Sequence, residues 1–128
     1  MGRVALDSSV LIALLNDKDS HHDLVYSRIQ SVENHYEISA VTLMESLVGP
    51  YMENARAAAE IKRKISVAIG AIEPVTEEVA VQAAKIRAST NLKAPDSIIS
   101  ASAKLTGAIL WTLDQRLAKA HKGAILVA

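Results

Sequence analysis

Short runs of β-branched and other apolar residues recur along this chain, each followed by a longer Ala-rich stretch of helical periodicity. That alternation admits few architectures. Strand–helix–strand units lay parallel neighbours into one sheet and put helices on its faces. Val4-Ala5-Leu6 predicts a first strand, apolar at every position as expected where both faces of a sheet are covered. Helices are expected over Ser8–Leu15 and Ser20–Glu33, the second opened by Ser20-His21-His22-Asp23 at capping-box spacing. Tyr36–Ser39 predicts a second strand, and Thr42–Tyr51 a helix ended near Gly49-Pro50. An Ala-rich helix follows over Glu53–Ala68, then an edge strand over Ile72–Val75, where Pro74 is tolerable. Helices over Thr76–Ser89 and Pro95–Thr106 come next, the latter stopped by Gly107. Ala108–Trp111, Asp114–Ala120 and Ala124–Val127 close the series as strand, helix and strand. The sum is about five short strands and six or seven helices, an α/β fold with a parallel sheet.

The 128 residues fit one domain spanning 1–128, long enough to bury roughly two thirds of its unfolded surface. With no Cys, disulfides, thiolate zinc sites, iron–sulfur clusters and Cys nucleophiles are excluded. Lys and Arg number 14 against 14 Asp and Glu, which argues against a broadly polycationic nucleic-acid binder but leaves room for an enzyme that grips a few phosphates. No window approaches the roughly 18 apolar residues of a membrane span, and Met1-Gly2-Arg3 with a short apolar run broken by Asp7 is not a signal peptide. The expectation is a soluble, cytoplasmic protein with no membrane partner.

Four acids fall where such a sheet carries its chemistry, beyond the carboxyl ends of the strands. Asp7 follows the first strand directly, and Asp114 follows the fourth after Thr112-Leu113. Asp96 lies in the first turn of a helix, and Glu45 near the start of the helix after the second strand. Each also has a capping reading. Asp7 can cap Ser8–Leu15, although Ser8 or Ser9 would serve as well. Asp114 can cap Gln115–Ala120, and Asp96 can meet a helix dipole, with Ala94 as the cap before Pro95. Thr42-Leu43-Met44-Glu45 fits a capping box, which would fold Glu45 back onto the Thr42 amide.

Read together, three or four carboxylates in one cleft repel one another unless a countercharge compensates. A hard divalent cation supplies it, and oxygen-only ligation suits Mg²⁺ or Mn²⁺. Such an ion can hold a phosphodiester and activate water against it.

Leu6-Asp7-Ser8-Ser9, Thr42-Leu43-Met44-Glu45, Asp96-Ser97-Ile98-Ile99-Ser100-Ala101-Ser102-Ala103 and Trp111-Thr112-Leu113-Asp114 form an ordered set. That set resembles the PIN-domain nucleases, in particular the VapC-like toxins of type II toxin–antitoxin pairs, across essentially the whole chain. The resemblance implies a three-layer α/β/α PIN-like domain with a short central parallel sheet of about five strands. It implies metal-dependent endoribonuclease activity that leaves a 5′-phosphate. Asp7, Glu45, Asp96 and Asp114 correspond to the family's catalytic, metal-ligating acids, and Ser9 and Thr112 to hydroxyl positions that orient them. It also implies an RNA substrate, a cognate antitoxin protein and a homodimer. Val25, Ile29, Leu43, Leu47, Ile61 and Ile65 offer apolar positions for an antitoxin groove, or serve as ordinary core.

Among other residues, Lys93 and Arg116 lie close in sequence to Asp96 and Asp114 and read either as RNA phosphate contacts or as solvated charges. Adjacent His21 and His22 cannot easily share one ion and read as a solvated helix start. Arg87 can pair with a site carboxylate or reach solvent along its stem. Lys62-Arg63-Lys64 reads as a solvated face and Trp111 as core. Two alternatives stand beside the nuclease: a non-catalytic PIN-like module that binds protein or RNA, and a phosphotransfer domain. The latter wants paired acids after the first strand, where position nine is Ser.

Overall fold

The computed structural model describes residues 2–127. β1 (Gly2–Leu6) leads through α1 (Ser8–Leu15) and α2 (His22–Ser31) to β2 (Asn34–Ser39). α3 (Ala40–Glu53) and α4 (Ala55–Ala68) precede β3 (Ala71–Glu73). α5 (Glu77–Ser89) and α6 (Ala94–Thr106) lead to β4 (Ile109–Thr112), followed by α7 (Gln115–Ala120) and β5 (Ile125–Leu126). The five strands form one all-parallel sheet in the order β3-β2-β1-β4-β5.

Strand alternation divides the apolar residues between two cores. Val4 and Leu6 of β1 point to one face, against Val10 and Leu11 of α1, Val25 of α2 and Ile65 of α4. Ala5 points to the other, against Ile86 of α5, Ile99 and Ala103 of α6 and Leu117 of α7. A sheet with a helical layer on each face is the three-layer α/β/α arrangement expected. The small residues of α6 are buried almost throughout, Ser97, Ser100, Ala101, Ser102 and Ala103 among them, so this helix sits deep against its neighbours.

Several boundaries differ from the sequence expectation, each for a local reason. α2 begins at His22 because Asp19, not Ser20, accepts from a backbone amide there, that of His21 at 2.8 Å. The Ser20 hydroxyl meets the His21 ring instead, and the expected capping box does not form. α3 starts at Ala40, capped by the Ser39 hydroxyl, and passes through Gly49-Pro50. Pro50 lies in its last turn, where a missing N–H forfeits a single hydrogen bond. Asn54 is the real punctuation. Its amide donates to the Pro50 carbonyl, ending α3, and its side chain accepts from Ala57 N at 2.8 Å, starting α4. β3 lies one residue earlier than expected at its start and stops before Pro74.

β1 occupies the middle of the sheet. The chain leaves it toward β2 on one side, whereas β4 is followed by β5 on the other. The helices that follow β1 and β4 therefore pack on opposite faces of the sheet, which makes the carboxyl ends of these two strands the switch point where such a sheet forms its crevice.

Leu110 of β4 is fully buried in the second core. Leu110→Ala is expected to destabilise the fold by about 2–5 kcal/mol, read as a fall in the urea midpoint.

Candidate active site

The crevice is organised around Asp7, which is 4% exposed. Its amide extends the sheet ladder, donating to the Trp111 carbonyl at 3.1 Å. Its Oδ1 accepts from Val10 N at 3.0 Å, so it does cap α1. The cap is only part of its bonding. The Ser9 hydroxyl donates to Oδ1 at 2.6 Å, and the Thr112 hydroxyl donates to Oδ2. Each hydroxyl also accepts from the turn after β4: Ser9 Oγ from Leu113 N at 3.1 Å, Thr112 Oγ1 from Asp114 N at 2.9 Å. Two hydroxyls thus lace the β1–α1 and β4–α7 loops together through one carboxylate.

The other three acids arrive from three further segments. Asp114 caps α7 by accepting from Arg116 N at 2.8 Å, and its side is open to solvent. Asp96 lies in the first turn of α6, half-buried; among the described residues nothing donates to its carboxylate. The cap of α6 is Lys93 rather than Ala94, and its side chain makes no capping bond. Glu45 does not form the capping box. With Ser39 as the cap of α3, Thr42 is already inside the helix, and Glu45 Oε1 instead accepts from the Ser8 hydroxyl of α1. Ser8 is the residue the sequence reading missed. Its signal was the pair Ser8-Ser9 directly after a capping Asp, two hydroxyls that the helix start does not need.

Electrostatics tie the four acids together. Burial, followed by the charges of Asp114, Glu45 and Asp7, pushes the Asp96 carboxyl above the ordinary carboxylate range, with Lys93 opposing. Burial also pushes Asp7 up, with Asp114 adding and the Ser9, Thr112 and Val10 hydrogen bonds opposing. The ion pairs among the described residues are Arg3 with Glu37 and Glu73, His21 with Asp19, and Arg63 with Glu60. None neutralises a crevice acid. As the side chains stand, no three acids or imidazoles among the described residues are close enough to share one ion. In donor type and in net negative charge, however, the set fits a hard divalent cation.

The remaining candidates sort themselves by contact. Lys93 and Arg116 are exposed, Lys93 at the cap of α6 and Arg116 in the first turn of α7. Arg87 donates to the Leu92 carbonyl at 3.2 Å, pinning the turn before α6 rather than a carboxylate. His22 Nδ1 donates to the Ala13 carbonyl at 2.8 Å, a structural role. Trp111 is buried in the first core, its ring edge-on to Tyr36. Val25 and Ile65 are fully buried core, whereas Ile29, Leu43, Leu47 and Ile61 are only partly covered.

Asp96 is raised, so ionising it in the fold costs stability. That cost is absent at acid pH, where the group is protonated in both states. It grows as pH rises from the unfolded carboxyl value, about 3.9, to beyond the folded one. Asp96→Asn is therefore expected to melt a few degrees higher than wild type at neutral pH in chelator, with the gain disappearing on acidification. Thermal unfolding at both pH values checks this.

Compared by sequence with curated proteins, the chain matches none. Its fold is shared with solved structures at low identity. These include a toxin–antitoxin complex from Klebsiella pneumoniae, at TM-score 0.82 and 22% identity over 98% of each chain. The Mycobacterium tuberculosis toxin VapC20, described as cleaving the sarcin–ricin loop, aligns at TM-score 0.80 and 19% identity, over 96% of this chain and 97% of that one. FitAcB from Neisseria gonorrhoeae aligns at TM-score 0.74 and 24% identity over 94% of each. Residues 4–123 match the PIN domain family, from β1 to the turn before β5, and the chain belongs to that family.

Proposed function

We propose that this PIN domain is a Mg²⁺- or Mn²⁺-dependent endoribonuclease and the toxin of a toxin–antitoxin pair. The observation that carries the reading is that the charges of Asp7, Glu45 and Asp114 all reach Asp96 at the switch point, while among the described residues none of the four acids is held in an ion pair. These four acids would hold the ion, which when bound supplies the countercharge and the Lewis acidity that phosphodiester hydrolysis needs. Asp7, fixed through both oxygens, is the rigid member. Asp96, with no donor of its own among the described residues, is free to accept a hydrogen bond from the attacking water. Water as nucleophile removes any need for a protein nucleophile. Lys93 and Arg116, exposed and close in sequence to Asp96 and Asp114, would contact RNA phosphates.

A groove of about 520 Å³ runs from Glu45 between α1, α3 and α4. Ile12, Leu15 and Ile61 line it, with Asp17, Glu53 and Glu60 beside them. An apolar segment carrying a basic side chain toward Glu45 suits this lining, which is the chemistry expected of a cognate antitoxin. The toxin–antitoxin complexes among the similar structures support that assignment. Met44, Val48 and Tyr51 lie exposed along α3 and offer an apolar face to a second copy, in keeping with a homodimer. No helix among the described residues is long and apolar enough to cross a membrane, and the proposed RNA substrate sets the work in the cytoplasm.

Asp7→Asn and Asp96→Asn are each expected to lower cleavage of a structured RNA in Mn²⁺ by at least about a hundredfold while circular dichroism stays native. Wild-type rates in either variant overturn the assignment. Because both groups are raised in the metal-free protein, protons should compete with the ion at a higher pH than ordinary carboxylates would allow, so Mn²⁺ affinity is expected to fall early on acidification, as calorimetric titration across pH reads. Metal binding that does not depend on Asp7 would instead favour a PIN-like module that only binds protein or RNA.

A further inference from the structure

α6 and α7 carry two of the crevice acids, Asp96 and Asp114, and one side-chain hydrogen bond joins the two helices among the described residues. It lies away from the crevice. Ser100 Oγ and His121 Nδ1 stand 2.6 Å apart, with Ser100 fully buried and His121 4% exposed. Ser100 follows Asp96 by four residues, so the two share one face of α6, a turn apart. His121 ends α7, its amide donating to the Leu117 carbonyl at 2.9 Å, while Asp114 begins it. α7 has six residues, a rod of about 9 Å. One end carries an acid and the other is tied to the helix that carries another.

We propose that Ser100 and His121 are positioning residues, a buried clasp that fixes α7 against α6 and so sets Asp114 relative to Asp96 for a shared divalent ion. The inference rests on the metal-site reading above. Three observations favour a positioning role over mere filling. Neither Ser100 Oγ nor His121 Nδ1 has another hydrogen-bond partner among the described residues, so each depends on the other. A pair of apolar side chains would fill the same space without leaving buried polar atoms dependent on one contact. The other end of α7 is fixed by Thr112 Oγ1 accepting from Asp114 N, so with Leu117 buried between them the helix is held at both ends and at its middle. Burial, with Lys104 adding, holds the imidazole below its usual range and so neutral near physiological pH, in the state that a hydroxyl partner suits.

The test is Mn²⁺ titration by calorimetry, with amide hydrogen exchange on the metal-free protein. Ser100→Ala is expected to weaken Mn²⁺ affinity by about tenfold and to speed exchange at the Ala118 and His121 amides of α7. Ser100→Thr, which keeps the hydroxyl, and His121→Asn, which keeps a polar atom near the Nδ1 position, are expected to stay near wild type. The double variant Ser100→Ala/His121→Leu leaves no buried polar atom unpaired; it should recover the melting temperature but not the affinity. Wild-type affinity in Ser100→Ala, or its return in the double variant, overturns the clasp, while abolished binding in Asp96→Asn shows that the metal site itself stands. If Asp96→Asn binds Mn²⁺ as wild type does, the metal-site reading fails and this inference falls with it.

Discussion

The hydrogen bonds converging on Asp7 are the constraint on which the rest depends. A buried carboxylate is costly unless donors surround it. Here Val10 N, Ser9 Oγ and Thr112 Oγ1 supply them, from α1 and from the end of β4. Because the two hydroxyls accept in turn from Leu113 and Asp114, the same bonds fix the turn that presents Asp114. Asp7 is at once a helix cap, a bridge between non-consecutive loops and a candidate ligand. The capping and site readings, rivals in the sequence, are compatible in the structure because a carboxylate has lone pairs enough for both.

The crevice opposes the fold that holds it. Four acids drawn from α1, α3, α6 and α7 repel one another, and the ion pairs formed by Arg3 and Arg63 are spent elsewhere. Two apolar cores on the faces of the sheet offset that repulsion. α6, with its buried small residues, brings Asp96 close without bulk. Acids whose titration is shifted by burial and by one another mark a candidate functional site.

Much of this was legible in the chain. Alternation of apolar runs and Ala-rich stretches predicted the parallel sheet, and the placement of Asp7 and Asp114 after strands marked the crevice. What was not legible depended on contacts between distant segments. The Thr42–Glu45 spacing satisfies a capping box, yet Ser39 starts the helix three residues earlier and Ser8, 37 residues away, takes Glu45. The Ser20 box failed because Asp19 competes for the same turn. Pro50 reads as a stop but falls in a last turn that tolerates it. The pairing of Ser100 with His121 has no local signature at all, since 21 residues and a strand separate them.

The account's central claim is that four acids from separate segments serve one divalent ion, and anomalous diffraction from crystals grown in Mn²⁺ addresses it most directly. A manganese peak between the carboxylates of Asp7 and Asp96, with Asp114 or Glu45 turned toward it, is the predicted result. Density confined to other surfaces at saturating Mn²⁺, with the crevice acids still apart, would contradict it.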